Sequence, residues 1–255
     1  MIDIKKAEEE FKLYSNNYDM NEYKISMKYY HTFRVEKICG EIASLLGLDE
    51  EKINLAKLIG LLHDIARFEQ YTIYGTYDDI RSIDHGDLAV EILKKDNYIR
   101  KYIETNQYDS IILKAIKYHN KYAIGNDVSE EEKMFCEIIR DADKLDIFYL
   151  KVNDPLEIQK EKIENQVITK EVFEQFMLKE IIDRKNLKNN IDRIVVILAF
   201  VYDLNFKESY KIVKENNYMD RIIDLFNFEE QDTREKMELI RKTANDFLKE
   251  KLKEE

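Results

Sequence analysis

Proline occurs once in the 255 residues, at Pro155, glycine six times, and tryptophan not at all. Sandwiches and barrels draw on proline and glycine for their frequent turns, so this scarcity points away from them and towards helices. The two cysteines, Cys39 and Cys136, lack both the close spacing of a metal knuckle and the density of a disulfide framework. Each falls within a helical pattern and reads as a small buried residue in a reducing compartment. No apolar run approaches the ~20 residues that span a bilayer. The longest, Ile194 to Tyr202, is nine residues. No apolar signal core follows the N-terminus, which turns acidic at Glu8-Glu9-Glu10. A basic stripe is absent too. The formal net charge is −11, which argues against a stable nucleic-acid complex but leaves room for a small anionic ligand held through a cation. We therefore expect a cytoplasmic chain without a membrane partner.

What is present is helical periodicity. Apolar residues make up 44% of the chain, enough for a substantial core, and the 36% that are charged are of mixed sign. His31, Val35, Ile38, Ile42 and Leu45 recur at one helix face, with Gly47 as its C-terminal cap and Asp49 capping the next helix. That next helix carries Leu55, Leu58, Ile59 and Leu62 into His63-Asp64. Residues 68–84 lose the pattern and read as an aromatic-rich loop. It resumes at His85, Leu88, Ile92 and Leu93, then at Ile111, Ile112, Ala115, Ile116 and His119. Ser129 and Glu132 form a capping box ahead of Phe135, Ile138, Ile139, Ala142 and Leu145. Asp154-Pro155 marks a break, with Pro155 suited to a first helical position. Further helices follow, their faces through Ile194, Ile197, Leu198 and Val201 and through Met237, Ile240, Ala244, Phe247 and Leu248, with a second capping pattern at Asp232 and Glu235. The expected organisation is a helical core over 1–155 and a C-terminal helical elaboration over 156–255. The acidic last helix is read as a solvated amphipathic element or as a homo-oligomer contact.

All four histidines lie between residues 31 and 119, each on the apolar face or at the end of an expected helix. A buried imidazole needs a hydrogen bond or a ligand. Adjacent residues diverge by about 100° on a helix, yet His63 and Asp64 can flank a cation at a helix end. Imidazole plus carboxylate suits iron, manganese, nickel or zinc, with magnesium also admitted. Taken singly, each histidine is more often an ordinary core or surface residue. The ordered set carries the reading.

The order His31, His63-Asp64, Asp143 resembles the HD superfamily of metal-dependent phosphohydrolases. Leu61-Leu62-His63-Asp64-Ile65-Ala66-Arg67 is similar to its signature, and Asp141-Ala142-Asp143-Lys144-Leu145 to its closing aspartate motif. The resemblance covers roughly residues 25–150 and implies an all-α, HD-domain-like bundle. It implies that His31, His63, Asp64 and Asp143 ligate one metal and that His85 and His119 hold a second, with Asp64 between the two. Gly86 beside His85 would allow close backbone approach. A phosphoester hydrolase acting on a nucleotide or another small phosphorylated metabolite would follow, because divalent ions lower the pKa of bound water towards about 7. Asp64, Arg67 and Lys144 are the expected catalytic and phosphate-contacting residues. Arg67 is the first choice for the phosphate, with pairing to Glu69 or Asp64 as its plain alternative. Asp141 and Asp146 are read as helix-face charges, and Phe68, Tyr71, Tyr74 and Tyr77 as loop packing rather than a base-stacking pocket. Two other functions share these ligands: a diiron oxygenase, and a nucleotide-binding regulatory module without turnover.

Overall fold

The computed structural model describes residues 2–154, 163 and 166–253. Among these residues every regular element is a helix, so the chain is all-α. It divides into two compact units, Met1–Asp143 and Lys144–Glu255. The dividing point falls inside one long helix, α7 (Glu130–Asn153). Asp154 follows the end of that helix, and Pro155 lies outside the described residues.

The N-terminal unit contains α1 (Ile4–Ser15), α2 (Tyr23–Leu45), α3 (Glu50–Leu62), α4 (Ile65–Tyr74), α5 (His85–Lys94), α6 (Asp109–Tyr118) and the first part of α7. Local chemistry sets the boundaries. Asp49 Oδ1 accepts from Lys52 N at 2.9 Å and starts α3. Gly47, at φ 73°, ends α2 in a left-handed conformation open to glycine at little cost. Ser129 and Glu132 exchange hydrogen bonds, Ser129 N to Glu132 Oε2 at 2.7 Å and Glu132 N to Ser129 Oγ at 3.3 Å, the reciprocal box read from the sequence. The buried face of α2 runs through His31, Val35, Cys39 and Ile42, whereas Leu45 points to solvent. Residues 68–74, read as loop, continue α4; the true loop begins only at Gly75. Phe68 drives this. Its fully buried ring packs edge-on against Phe11 and Tyr14, with centroids 5.8 and 5.9 Å away, and local helix periodicity does not reveal that distant partner.

Helices α2 and α3 pack closely at Gly60, where a Cβ would lie 2.8 Å from Glu36 Cα and 3.0 Å from Cys39 Sγ. Glu36 itself is buried. Burial, with the Glu8 carboxylate beside it, pushes its carboxyl up to about 8.

The C-terminal unit adds α8 (Lys170–Met177), α9 (Asn190–Ala199), α10 (Lys207–Glu215), α11 (Tyr218–Asp224) and α12 (Gln231–Lys253). Its core includes Phe148, Phe176, Ile194, Val195, Leu198, Val201, Met237, Ile240, Ala244 and Leu248. Val195 and Val196 are buried while Ile197 is only half-buried, so α9 is covered on a wider arc than one amphipathic face predicts. Asp232 is not a cap. It sits inside the first turn of α12, with Oδ2 2.7 Å from Lys236 Nζ. No helix among the described residues is long and apolar enough to cross a membrane.

Two stability outcomes follow. Gly60→Ala must push backbone against backbone and is expected to cost about 1–3 kcal/mol, read as a lower Tm. Glu36 holds its proton in the folded protein between its ordinary 4.5 and about 8, a window in which the unfolded chain has released it. Its contribution to stability therefore falls as pH rises through that window. Urea melts at pH 5 and pH 8 should show a smaller difference for Glu36→Gln than for the wild type; equal differences would contradict this.

Candidate metal centre

The His63-Asp64 doublet sits at a break. Helix α3 ends at Leu62, His63 is its C-terminal cap, and Asp64 (φ −106°, ψ 17°) is the residue before α4 begins at Ile65. This places both side chains at a helix junction rather than 100° apart on a continuous helix. His31 comes from the middle of α2, His85 from the first position of α5, His119 from the end of α6, and Asp143 from α7.

Asp64 divides its two oxygens between two groups. Oδ2 lies 3.4 Å from both His31 Nε2 and His63 Nε2, which are themselves 3.3 Å apart. Asp143 Oδ1 joins this group at 3.2 Å from His31 Nε2 and 4.0 Å from His63 Nε2. Oδ1 of Asp64 lies 3.4 Å from His85 Nε2 and 3.6 Å from His119 Nε2, which are 2.9 Å apart. All four imidazoles and Asp64 are buried.

The outer partners settle which nitrogen points inward. His63 Nδ1 is 2.6 Å from the Gly60 carbonyl, and His119 Nδ1 is 2.6 Å from the Ile116 carbonyl. A carbonyl oxygen only accepts, so both Nδ1 atoms carry the proton. His85 Nδ1 faces Asp79 Oδ2 at 2.7 Å. Burial raises the Asp79 carboxyl, but the His85 hydrogen bond, with the Arg67 charge and the Gln70 hydrogen bond, outweighs it and holds it well below the usual range, so Asp79 also accepts. With these protons committed outward, the Nε2 lone pairs of His63, His85 and His119 converge with carboxylate oxygens. Burial and the Arg67 charge lower His85 to about 3, and burial lowers His63, so both stay neutral near pH 7. Burial also raises Asp64 and Asp143. For Asp64 the Lys28 charge opposes it and prevails; for Asp143 the hydrogen bond from His31 does. Both remain ionised. Acceptors packed this closely call for a cation between them, and their separations are those of ligands about 2–2.2 Å from a shared centre. His31–His63–Asp64 and Asp64–His85–His119 are thus groups of the kind that hold a metal ion.

The supporting shell is extensive. The buried Gln70 donates from Nε2 to Asp79 Oδ1, Ser82 Oγ and the Ile83 carbonyl, each at 2.9 Å, fixing the loop that carries Asp79. Arg67 Nη1 donates to Gln70 Oε1 and the Tyr77 carbonyl at 2.8 Å and to Asp79 Oδ1 at 3.1 Å. Arg140 on α7 donates to the carbonyls of Tyr118 and Lys121 on either side of His119, at 3.1 and 2.5 Å. At Gly86 a Cβ would meet Asn120 Oδ1 at 2.6 Å and the Lys117 carbonyl at 3.0 Å, so glycine is what lets α5 approach α6.

Six of the residues read from the sequence are brought together: His31, His63, Asp64, His85, His119 and Asp143. Arg67 stands beside them, its Nε 3.4 Å from Asp64 Oδ1, and its firmer ties are to Asp79, Gln70 and Tyr77 rather than to Glu69. Lys144 is buried, with Nζ 2.7 Å from Asp203 Oδ2. Asp141 and Asp146, read as helix-face charges, are fully buried instead. Tyr77 is tied down, its hydroxyl donating to the Lys24 carbonyl at 2.9 Å. Sequence reasoning missed Lys28, Gln70 and Asp79. Lys28 alone had a signal, standing one helical turn before His31.

The HD domain family model matches residues 29–147, a span that contains all six converging residues. No curated protein and no solved structure matches the chain.

Asp79→Asn removes the charged acceptor that fixes the His85 tautomer. Loss of such an outer partner typically costs 10–100-fold in metal affinity. Manganese titration should show one of two binding events weakened by about that factor, with the other unchanged; two unaltered events would contradict the assignment.

Proposed function

Since residues 29–147 form an HD domain, we propose that the protein is a metal-dependent phosphohydrolase acting on a nucleotide or another small phosphorylated metabolite. The observation that carries this reading is the division of one carboxylate, Asp64, between two imidazole pairs, supplemented on one side by Asp143. The mixed nitrogen and oxygen donors suit manganese, iron, nickel or zinc.

Ions bound there supply positive charge at a phosphoryl oxygen and acidify water. The chain's own residues do the rest. Gly60, Ile116 and Asp79 hold the imidazoles with Nε2 inward, so the donors need no rearrangement before binding. Asp64 and Asp143 stay ionised and offset the added positive charge. Arg67 is anchored through Nη1, which leaves Nη2 without a hydrogen bond among the described residues and its planar fork available to a phosphate oxygen. In the hydrolysis, oxygen from water bonds to phosphorus, the bond to the ester oxygen breaks, and that oxygen leaves with a proton.

The test is metal analysis of the purified protein followed by a screen of phosphomonoesters, phosphodiesters and nucleotides with added manganese, nickel or iron. Phosphate release is expected. His63→Ala and Asp64→Ala should lower it by more than the ~10–100-fold that loss of an outer partner costs. Two irons with substrate-dependent O₂ uptake and no phosphate release would replace this reading by the oxygenase. Tight nucleotide binding without turnover in any metal would replace it by a regulatory module.

A further inference from the structure

Asp64 has a cation beside each oxygen. Lys28 Nζ is 2.6 Å from Oδ2, and Arg67 Nε is 3.4 Å from Oδ1. Among the described residues Lys28 Nζ makes no other hydrogen bond or ion pair. The two side chains are mostly but not wholly covered, at 15% and 13% exposure. Both stand over the ring of Tyr77, Lys28 Nζ at 5.8 Å and the Arg67 guanidinium at 5.4 Å from its centroid. Arg67 Nη1 is taken by Asp79, Gln70 and the Tyr77 carbonyl, whereas its Nε is buried without a hydrogen-bond partner.

Arg67 has a second carboxylate in Asp79, whereas Lys28 faces Asp64 alone, the group that is also shared by both imidazole pairs. Once the Asp64 charge is drawn to divalent ions, Lys28 is a nearly buried ammonium with no anion of its own, which is costly unless another anion arrives.

We propose that Lys28 is a second cationic contact for the substrate's phosphoryl group, acting with Arg67. The pair favours a phosphate with two ionised oxygens, a monoester, over a singly charged diester. This rests on the phosphohydrolase reading and deepens it by naming the substrate's charge class. Lys28 contacts the substrate; it is not a metal ligand.

The experiment compares wild type, Lys28→Met, Lys28→Arg and Lys37→Met, the last removing equal charge from an exposed position on the same helix. Three quantities are read on each: manganese stoichiometry, the Kd of inorganic phosphate for the manganese-loaded protein by calorimetry, and kcat/KM for a monoester and a diester. Loss of a hydrogen bond to a charged group corresponds to about 10–100-fold. Lys28→Met should therefore weaken phosphate binding by roughly that factor with manganese retained, and lower kcat/KM for the monoester more than for the diester. Lys28→Arg should keep most of both, and Lys37→Met should match wild type. The inference is overturned if Lys28→Met binds phosphate within twofold of wild type, if it loses manganese, or if Lys28→Arg is as impaired as Lys28→Met. A wild type that holds manganese and binds phosphate yet hydrolyses no ester would sink the hydrolase reading while leaving the Lys28 contact measurable by calorimetry.

Discussion

The N-terminal unit is organised around one electrostatic constraint: several buried lone pairs and two carboxylates pointing at each other. Such an arrangement is unfavourable by itself. It persists because each inward acceptor is the free end of a group whose other end is fixed by the fold. The Gly60 and Ile116 carbonyls commit two imidazole protons outward, and Asp79 commits a third. Meanwhile Lys28 and Arg67 offset the charge of Asp64.

That constraint explains features that otherwise look unrelated. The break between α3 and α4 exists where His63 and Asp64 must both face inward, which a continuous helix forbids. Gly60 serves twice, letting α2 close on α3 and offering its carbonyl to His63. The irregular segment after Gly75 is held by Gln70 and Arg67 so that Asp79 meets His85. Loop, glycine and helix break all serve the placement of four imidazole rings.

Much of this was legible from the residues in order. Helix faces with strong periodicity, such as Ile111–Ile116, and caps with paired chemistry, such as Ser129–Glu132, depend on neighbours three and four apart and read directly. The six converging residues were legible as a set because their types are scarce and ordered. What stayed hidden depends on contacts distant in sequence. Phe68 was taken for a loop residue because its partners, Phe11 and Tyr14, lie more than fifty positions earlier. Asp79 gave no local sign of its role, which follows from how the chain folds back through Gln70. Lys144 follows Asp143 in sequence, and its ammonium pairs with Asp203, far along the chain.

The most direct measurement is anomalous scattering from crystals grown with manganese. Two peaks are expected, one among His31, His63, Asp64 and Asp143 and one among Asp64, His85 and His119, with an Asp64 oxygen near each. Peaks elsewhere, or none between these side chains at saturating metal, would contradict the account.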